Sequence, residues 1–241
     1  METWLWTGIF IVAFLYASVG HGGASGYLAL MALFGISPAF IRPSALFLNL
    51  FVSGIAFCQF YRKGYFRLNL FLPFAISSIP MAYLGASVDI NLMWYKRILA
   101  GCLVLATLRI LGLFGDMQSG RKDMPFLSGF VIGGILGFIS GMIGIGGGII
   151  LSPIILLFRW GDVKETASVS ALFIFVNSLS GLLGQVHTGL NFTASIPWYV
   201  AASIIGGILG AYAGSYKFNN LTVRNSLAVI LISASVKLIF A

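Results

Sequence analysis

FLSGFVIGGILGFISGMI-GIGGG-IILSPIILLFRW, residues 126–160, is the stretch whose reading decides the fold. An apolar run, Phe126–Ile143, meets Gly144-Ile145-Gly146-Gly147-Gly148, and a shorter run, Ile149–Trp160, follows. A helix rises about 1.5 Å per residue and a bilayer core is about 30 Å thick, so the run after the glycines covers only roughly 18 Å. It cannot cross alone. The run before the glycines is also shorter than a usual span. The break therefore lies at membrane depth and joins two short helices, either as a re-entrant hairpin or as pieces of one broken helix.

The rest of the chain has the same solvent. Of its 241 residues, 59% are apolar and 8% charged, against about 25% charged in a soluble domain. Too little charge is present to clothe a soluble fold. The net charge of +8 does not indicate a nucleic-acid partner, because Lys and Arg sit in short gaps between apolar runs, where positive charge orients a membrane protein. Cys58 and Cys102 stand alone in apolar stretches and read as small buried hydrophobes. The start, METWLWTGIF, lacks a basic region and reads as a retained first segment, about Trp4–Val19.

The pattern of residues 126–160 occurs twice. Gly20-His21-Gly22-Gly23 follows the first apolar segment, and the short run Ala24–Gly35 comes next. Ser44–Phe47 matches Ser170–Phe173, and Leu84-Gly85-Ala86 matches Leu209-Gly210-Ala211, all at offsets of about 124 to 128 residues. Collinear matches at a nearly constant offset mark an internal repeat. Residues 1–114 form the first membrane repeat, 115–125 a cytoplasmic linker and 126–241 the second repeat. The remaining segments are about Ser44–Phe60, Phe66–Val88, Leu92–Phe114, Ala167–Val186, Phe192–Tyr216 and Leu221–Phe240.

Loop charge sets the orientation. Arg62, Lys63 and Arg67 make the most basic loop, which places it in the cytoplasm; its counterpart at His187–Asn191 has no Lys or Arg. Asp89, Lys96 and Arg97 net one positive charge, and Lys217 with Arg224 give two. Reversed bias between equivalent loops requires an odd number of crossings per half, which a hairpin supplies. The expectation is an all-α polytopic protein of the cell membrane, in a bacterial inner membrane, with both termini outside. It consists of two inverted-topology repeats, each a Gly-broken pair of short helices followed by three transmembrane helices.

Inverted repeats of broken helices hold their substrate near the midplane, between the halves. Each glycine break precedes a helix N-terminus, with free N–H groups and about half a positive charge. Glycine lets that backbone approach a ligand. Two such ends form an anion site without a buried cation. The candidate substrate-binding residues are Gly20, His21, Gly22, Gly23, Ser25, Asn49, Gly144, Gly146, Gly147, Gly148 and Asn177. Each has a structural reading too. Membrane glycines commonly allow close helix packing, as at Gly134, Gly137, Gly206 and Gly207, and buried Asn commonly bonds between helices. Trp4, Trp94, Tyr95, Trp160 and Trp198 read as interfacial anchors, and Arg42, Arg159 and Lys164 as interfacial charges.

At these residues the chain resembles the sulfite exporter TauE/SafE family. The resemblance rests on the doubled glycine breaks, on Gly144–Gly148 with Pro153 five residues on, and on Ser170–Phe173 with Asn177. It covers nearly the whole chain. The first half departs from the pattern, with Gly-His-Gly-Gly-Ala at the break and Ala29 where the second half has Pro153. The resemblance implies transport of sulfur-containing anions such as sulfite or sulfoacetate; composition and spacing do not show sulfur. The partners expected are a small anionic substrate and the bilayer, with no cofactor and no metal. An anion channel, or a carrier of another carboxylate or inorganic anion, is the alternative. Intramembrane proteolysis would need an HExxH, a Ser/Lys or Ser/His pair, or paired aspartates, and neither His21 nor His187 belongs to such a pattern.

The charge reading is testable in intact cells. A single cysteine placed at Lys63 is expected to be shielded from an impermeant thiol reagent and one at Thr188 to be labelled. Equal labelling of the two would refute inverted halves.

Overall fold

The computed structural model describes residues 2–34, 36, 38–88, 122–186, 189, 190, 192, 194–219, 221, 222, 225 and 232. The expected segment Leu92–Phe114, most of the linker 115–125, nearly all of Leu221–Phe240, and Trp94, Tyr95, Cys102 and His187 lie outside those residues. The described residues form an all-helical structure: α1 Glu2–Ser18, α2 Ala24–Leu33, α3 Pro38–Arg62, α4 Leu68–Ala86, α5 Phe126–Ile143, α6 Gly148–Leu157, α7 Val163–Gln185 and α8 Ile196–Tyr212. A π-helical turn, Ala213–Lys217, extends α8. Five stretches are long and apolar enough to cross a membrane: Phe40–Arg62, Leu68–Ala86, Phe126–Ile143, Val163–Gln185 and Ile196–Lys217.

The first glycine break turns the chain back on itself. Gly26 faces Val12 and Tyr16, while Gly8 faces Leu30. The pairing runs in opposite directions, so α1 and α2 form an antiparallel hairpin. α2 has only 10 residues, about 15 Å of rise. α6 matches it in length, also with 10 residues.

Each half packs its first helix on the fourth helix of the other. Gly129, Gly133, Gly137 and Gly141 recur every fourth residue of α5, a spacing that lines one helix face. They face Pro73, Phe74, Ser78 and Ala82 of α4 in turn, so the two helices run parallel. A Cβ at Gly133, Gly137 or Gly141 would strike a carbonyl of α4. α8 repeats this on α1, where Gly206, Gly210 and Gly214 sit against the carbonyls of Phe10, Phe14 and Ser18. Gly85 against the Phe138 carbonyl answers Gly210 against the Phe14 carbonyl, so the interfaces exchange when the halves are exchanged. Apolar burial gives little drive between helices in lipid, and close backbone contact supplies dispersion energy instead.

α3 and α7 pack together between these pairs. Gly54 faces Phe175, Asn49 bonds Ser178 and Gly181 faces Leu46, so α3 and α7 are antiparallel. The basic loops gather at one end. Arg67 Nη1 donates to the Trp160 carbonyl at 3.1 Å and lies 3.9 Å from Glu165. Lys164 reaches the Tyr65 hydroxyl at 3.4 Å, and Lys63 sits 3.9 Å above the Tyr216 ring. Asp162 and Glu165 close a capping box on α7, which holds that loop in register.

Two expectations are corrected here. Cys58 is exposed rather than buried, because it lies on the outer side of α3. Trp160 is buried, tucked against Phe74 and Phe158 where α6 ends, and is no interfacial anchor. Trp4 and Trp198 are exposed, as anchors should be.

The stripe separates two kinds of glycine. A Cβ at Gly134 meets only Ser77 and Met81, at 3.6 Å and beyond. Gly134→Ala is therefore expected to leave the melting temperature in detergent unchanged or raise it, alanine being about 1 kcal/mol better than glycine inside a helix. Gly137→Ala is expected to destabilise by about 2 kcal/mol through forced separation of α4 and α5. Equal shifts for the two variants would contradict this interface.

Candidate functional site

The two glycine loops meet inside the bundle. Gly20 and Gly23 have φ of 76° and 92°, and Gly144, Gly146 and Gly147 have φ of 81°, 77° and 74°. Side-chain-bearing residues rarely adopt this region, so both turns depend on glycine. Gly22 depends on space: its Cα faces Asn49 Oδ1, and a Cβ there would strike it. Gly146 lies on the other side of the same amide, with Ile174 and Ser178 beside it. Asn49 Nδ2 donates to the Ile145 carbonyl at 3.2 Å and to Ser178 Oγ at 3.3 Å. One α3 side chain thus touches both loops and α7. Beyond this meeting point the loops diverge, Gly20 against the Ala167 backbone near the start of α7 and Gly144 against Arg42 near the start of α3. Because α3 and α7 are antiparallel, those contacts lie toward opposite ends of the bundle.

His21 joins the loops a second time. It is buried, with Nδ1 3.1 Å from the Val19 carbonyl and Nε2 3.2 Å from both the Gly148 carbonyl and Ser152 Oγ. Ser152 Oγ lies 2.7 Å from Ser170 Oγ, continuing the chain of polar atoms into α7. The helix starts add donors. The first bond of α2 is Tyr27 N–H to Gly23 at 2.9 Å, and the first of α6 are Ile150 and Leu151 N–H to Gly147 at 3.1 Å. The N–H groups before them have no partner within their own helices.

Several buried polar atoms around the loops lack a hydrogen-bond partner among the described residues: Tyr27 Oη, Asn49 Oδ1 and Ser140 Oγ. Tyr27 lies against Gly23, and Ser140 against Gly147. Each such atom costs on the order of 1–3 kcal/mol when nothing meets it. Sequence reading missed Tyr27, Ser140, Ser152, Ser170 and Ser178. A usable signal existed for two of them: Tyr27 stands four residues after Gly23 and Ser140 four before Gly144, one helical turn from a break and on its side.

Not every candidate joins this centre. Ser25 bonds the Tyr16 hydroxyl at 2.9 Å, within the first hairpin. Asn177 faces α4, donating to Ser78 Oγ at 3.1 Å and to the Phe173 carbonyl at 2.8 Å. Arg42 closes helix ends, donating to the Gly141 carbonyl at 2.8 Å and the Ala86 carbonyl at 3.5 Å, where orphan carbonyls and the negative end of the dipole favour a cation. Gly22, Gly146, Gly148, His21 and Asn49 are brought together. Among the described residues, the fully buried polar side chains include no Asp, Glu, Lys or Arg. A cavity of about 530 Å³ lies elsewhere, between the start of α5 and the end of α6.

Membrane-length helices wrapped around glycine loops and uncharged polar side chains define a multi-pass α-helical membrane protein with a polar interior site. The chain belongs to the sulfite exporter TauE/SafE family, whose model matches residues 5–238. It is 36% identical over 235 residues to the probable membrane transporter protein y4hK of Sinorhizobium fredii, covering 96% of this chain and 95% of that one. It is 29% identical over 218 residues to the probable membrane transporter protein ORF9 of a Sinorhizobium species, covering 88% and 80%. A third match, 28% over 117 residues, is the probable membrane transporter protein YunE of Bacillus subtilis, covering 46% and 41%. No solved structure matches the chain.

The contact between Gly22 and Asn49 is open to a double-mutant cycle. Gly22→Ala is expected to lower the melting temperature of the native chain, and to cost about 1 kcal/mol less when Asn49 is already alanine, within the usual coupling of touching residues. Additive effects would place the two residues apart.

Proposed function

We propose that this membrane transporter is a secondary carrier that exports a small sulfur-containing anion, sulfite, sulfoacetate or a related organosulfonate, by alternating access between its two glycine loops. The observation that carries the reading is the meeting of both loops at Asn49, among helix N-termini and hydroxyl groups that lack partners. An oxyanion takes hydrogen bonds from backbone N–H groups at such ends, and the half-charge of each dipole favours it. The donors fall to Gly22, Gly23, Gly146, Gly147 and Gly148, with Tyr27, Ser140 and His21 beside them. Gly20 and Gly144 set the turns, and Ser25 and Asn177 support the surrounding helices. The sulfur chemistry comes from the family alone.

The same reading makes the halves inverted repeats. Its support is the antiparallel pairing of the equivalent helices α3 and α7, with the parallel pairings α4 with α5 and α1 with α8. The shared end of the 62–67 and 158–165 loops is then cytoplasmic. Contact of Gly22 and Gly146 with Asn49 closes the path at that level, which favours a carrier over a standing channel. Export needs no coupled ion. An inside-negative potential of 100 mV is worth roughly 2.3 kcal/mol per charge, and at about 1.4 kcal/mol per tenfold this drives a monoanion outward by a ratio of roughly 40.

In proteoliposomes loaded with sulfoacetate or sulfite, an interior-negative potassium diffusion potential is expected to accelerate efflux several-fold. Gly146→Val is expected to abolish the flux while the protein still inserts, and His21→Gln to keep it voltage-driven. Efflux that ignores voltage and follows an imposed pH gradient would replace this mechanism by proton coupling.

A further inference from the structure

Ile174 lies in the middle of α7 and is buried. It shares one face of that helix with Ser170 and Ser178, four residues to either side. Both serines belong to the polar centre: Ser170 Oγ lies 2.7 Å from Ser152 Oγ, and Ser178 Oγ accepts from Asn49 Nδ2 at 3.3 Å. Along this face of a membrane-length helix the order is therefore hydroxyl, apolar, hydroxyl.

The apolar member stands where the two glycine loops meet. Its Cγ2 methyl is 3.0 Å from where a Cβ of residue 22 would be and 2.8 Å from where one of residue 146 would be, so a single methyl faces a glycine of each loop. Its Cγ1 and Cδ1 stand against Gly148 in the same way. Carbon atoms pack at about 3.5–4.0 Å, so none of the three positions has room for a side chain while Ile174 stays in place. Gly146 also needs glycine for its φ of 77°. Gly22 and Gly148 are not among the glycines with positive φ, so backbone conformation gives no reason for glycine there. The reason is contact, with Ile174 at both, joined by Asn49 Oδ1 at Gly22 and by the Ser170 carbonyl at Gly148. Helix packing alone would be met by alanines facing a smaller residue. The chain gives up the Cβ atoms and keeps the isoleucine.

We propose that Ile174 is the occluding residue of the transport path and that its bulk sets the size of anion that passes. This rests on the reading that the path runs between the glycine loops. An apolar constriction strips water from an ion and offers nothing in return, and it gates for that reason. A β-branched side chain in a helix holds essentially one χ1 rotamer, so Ile174 does not swing aside. The loops withdraw from it, and the gap they leave against its Cγ2 methyl is what a solute must fit.

The test uses the full chain in proteoliposomes, with chloride as a small probe and gluconate as a bulky one. Ile174→Ala removes the Cγ2 methyl. Ile174→Val keeps the branched pair of carbons on Cβ. Ile155→Ala is an equal truncation in the buried cluster around Trp160. Under an interior-negative potential the native chain, Ile174→Val and Ile155→Ala are expected to hold chloride. Ile174→Ala is expected to leak it about tenfold faster, with a raised ratio of gluconate to chloride flux. In a chain carrying Cys58→Ser and Cys102→Ser, Ile174→Cys is expected to leak as well, and methyl methanethiosulfonate, which refills the gap with a methylthio group, to close it. That arm stands alone if Ile174→Ala does not fold. Folded Ile174→Ala or Ile174→Cys as tight as the native chain, a native chain or Ile155→Ala as leaky as Ile174→Ala, an unchanged flux ratio, or a leak that the reagent leaves open would each overturn the proposal. Neither probe contains sulfur, so a native chain that fails to move sulfoacetate or sulfite would sink the substrate reading and leave this one standing.

Discussion

A backbone that leaves the helix inside a bilayer must have its N–H and C=O groups met by protein, because hydrocarbon offers no partner. The two glycine loops leave the helix inside a bundle of membrane-length helices, and the packing around them buries both. α3 and α7 lie side by side at the centre, and each loop rests on the start of one of them. His21 and Asn49 meet carbonyls of the opposite half. Neither broken pair is enclosed by its own half.

The same constraint explains the glycine stripes. The first helix of each half, α1 or α5, is covered along one flank by the fourth helix of the other, α8 or α4. Three glycines on α5, and two on α8 with Gly214 in the turn that extends it, bring backbones close enough for dispersion to act over the length of the contact. Ser77 adds a hydrogen bond to the Phe130 carbonyl across α4 and α5, of a kind worth about 0.6 kcal/mol on average between membrane helices. The halves cannot part without losing both stripes.

Closure around the loops leaves little space at the centre. Ile174 touches Gly22, Gly146 and Gly148, and Asn49 fills the gap between the first two. Passage of any solute requires these side chains or the loops themselves to shift. Ser140 and Tyr27 hold hydroxyls there without partners. Unpartnered hydroxyls cost stability at this point, while the flanking helix pairs are tightly packed.

The repeated Gly20–Gly23 and Gly144–Gly148 motifs, the apolar runs around them and the basic loops were sufficient to read an all-helical membrane protein with a short helix after each break. Those features are local: length, periodicity and loop charge act within a few turns of chain. Tyr27 and Ser140 were legible in principle, one turn from a glycine. Asn49 could be named but not placed, and nothing in the chain distinguished it from Asn177, which faces α4 instead. Cys58 and Trp160 were misread because burial depends on which neighbour covers a residue. The sequence by itself located the described helices and their glycine breaks, although α3 begins at Pro38 and α7 at Val163, ahead of the expected Ser44 and Ala167. Only the tertiary structure decided which glycines meet a carbonyl and which asparagine joins the loops. These depend on contacts between residues roughly a hundred positions apart, and no local periodicity records such a distance.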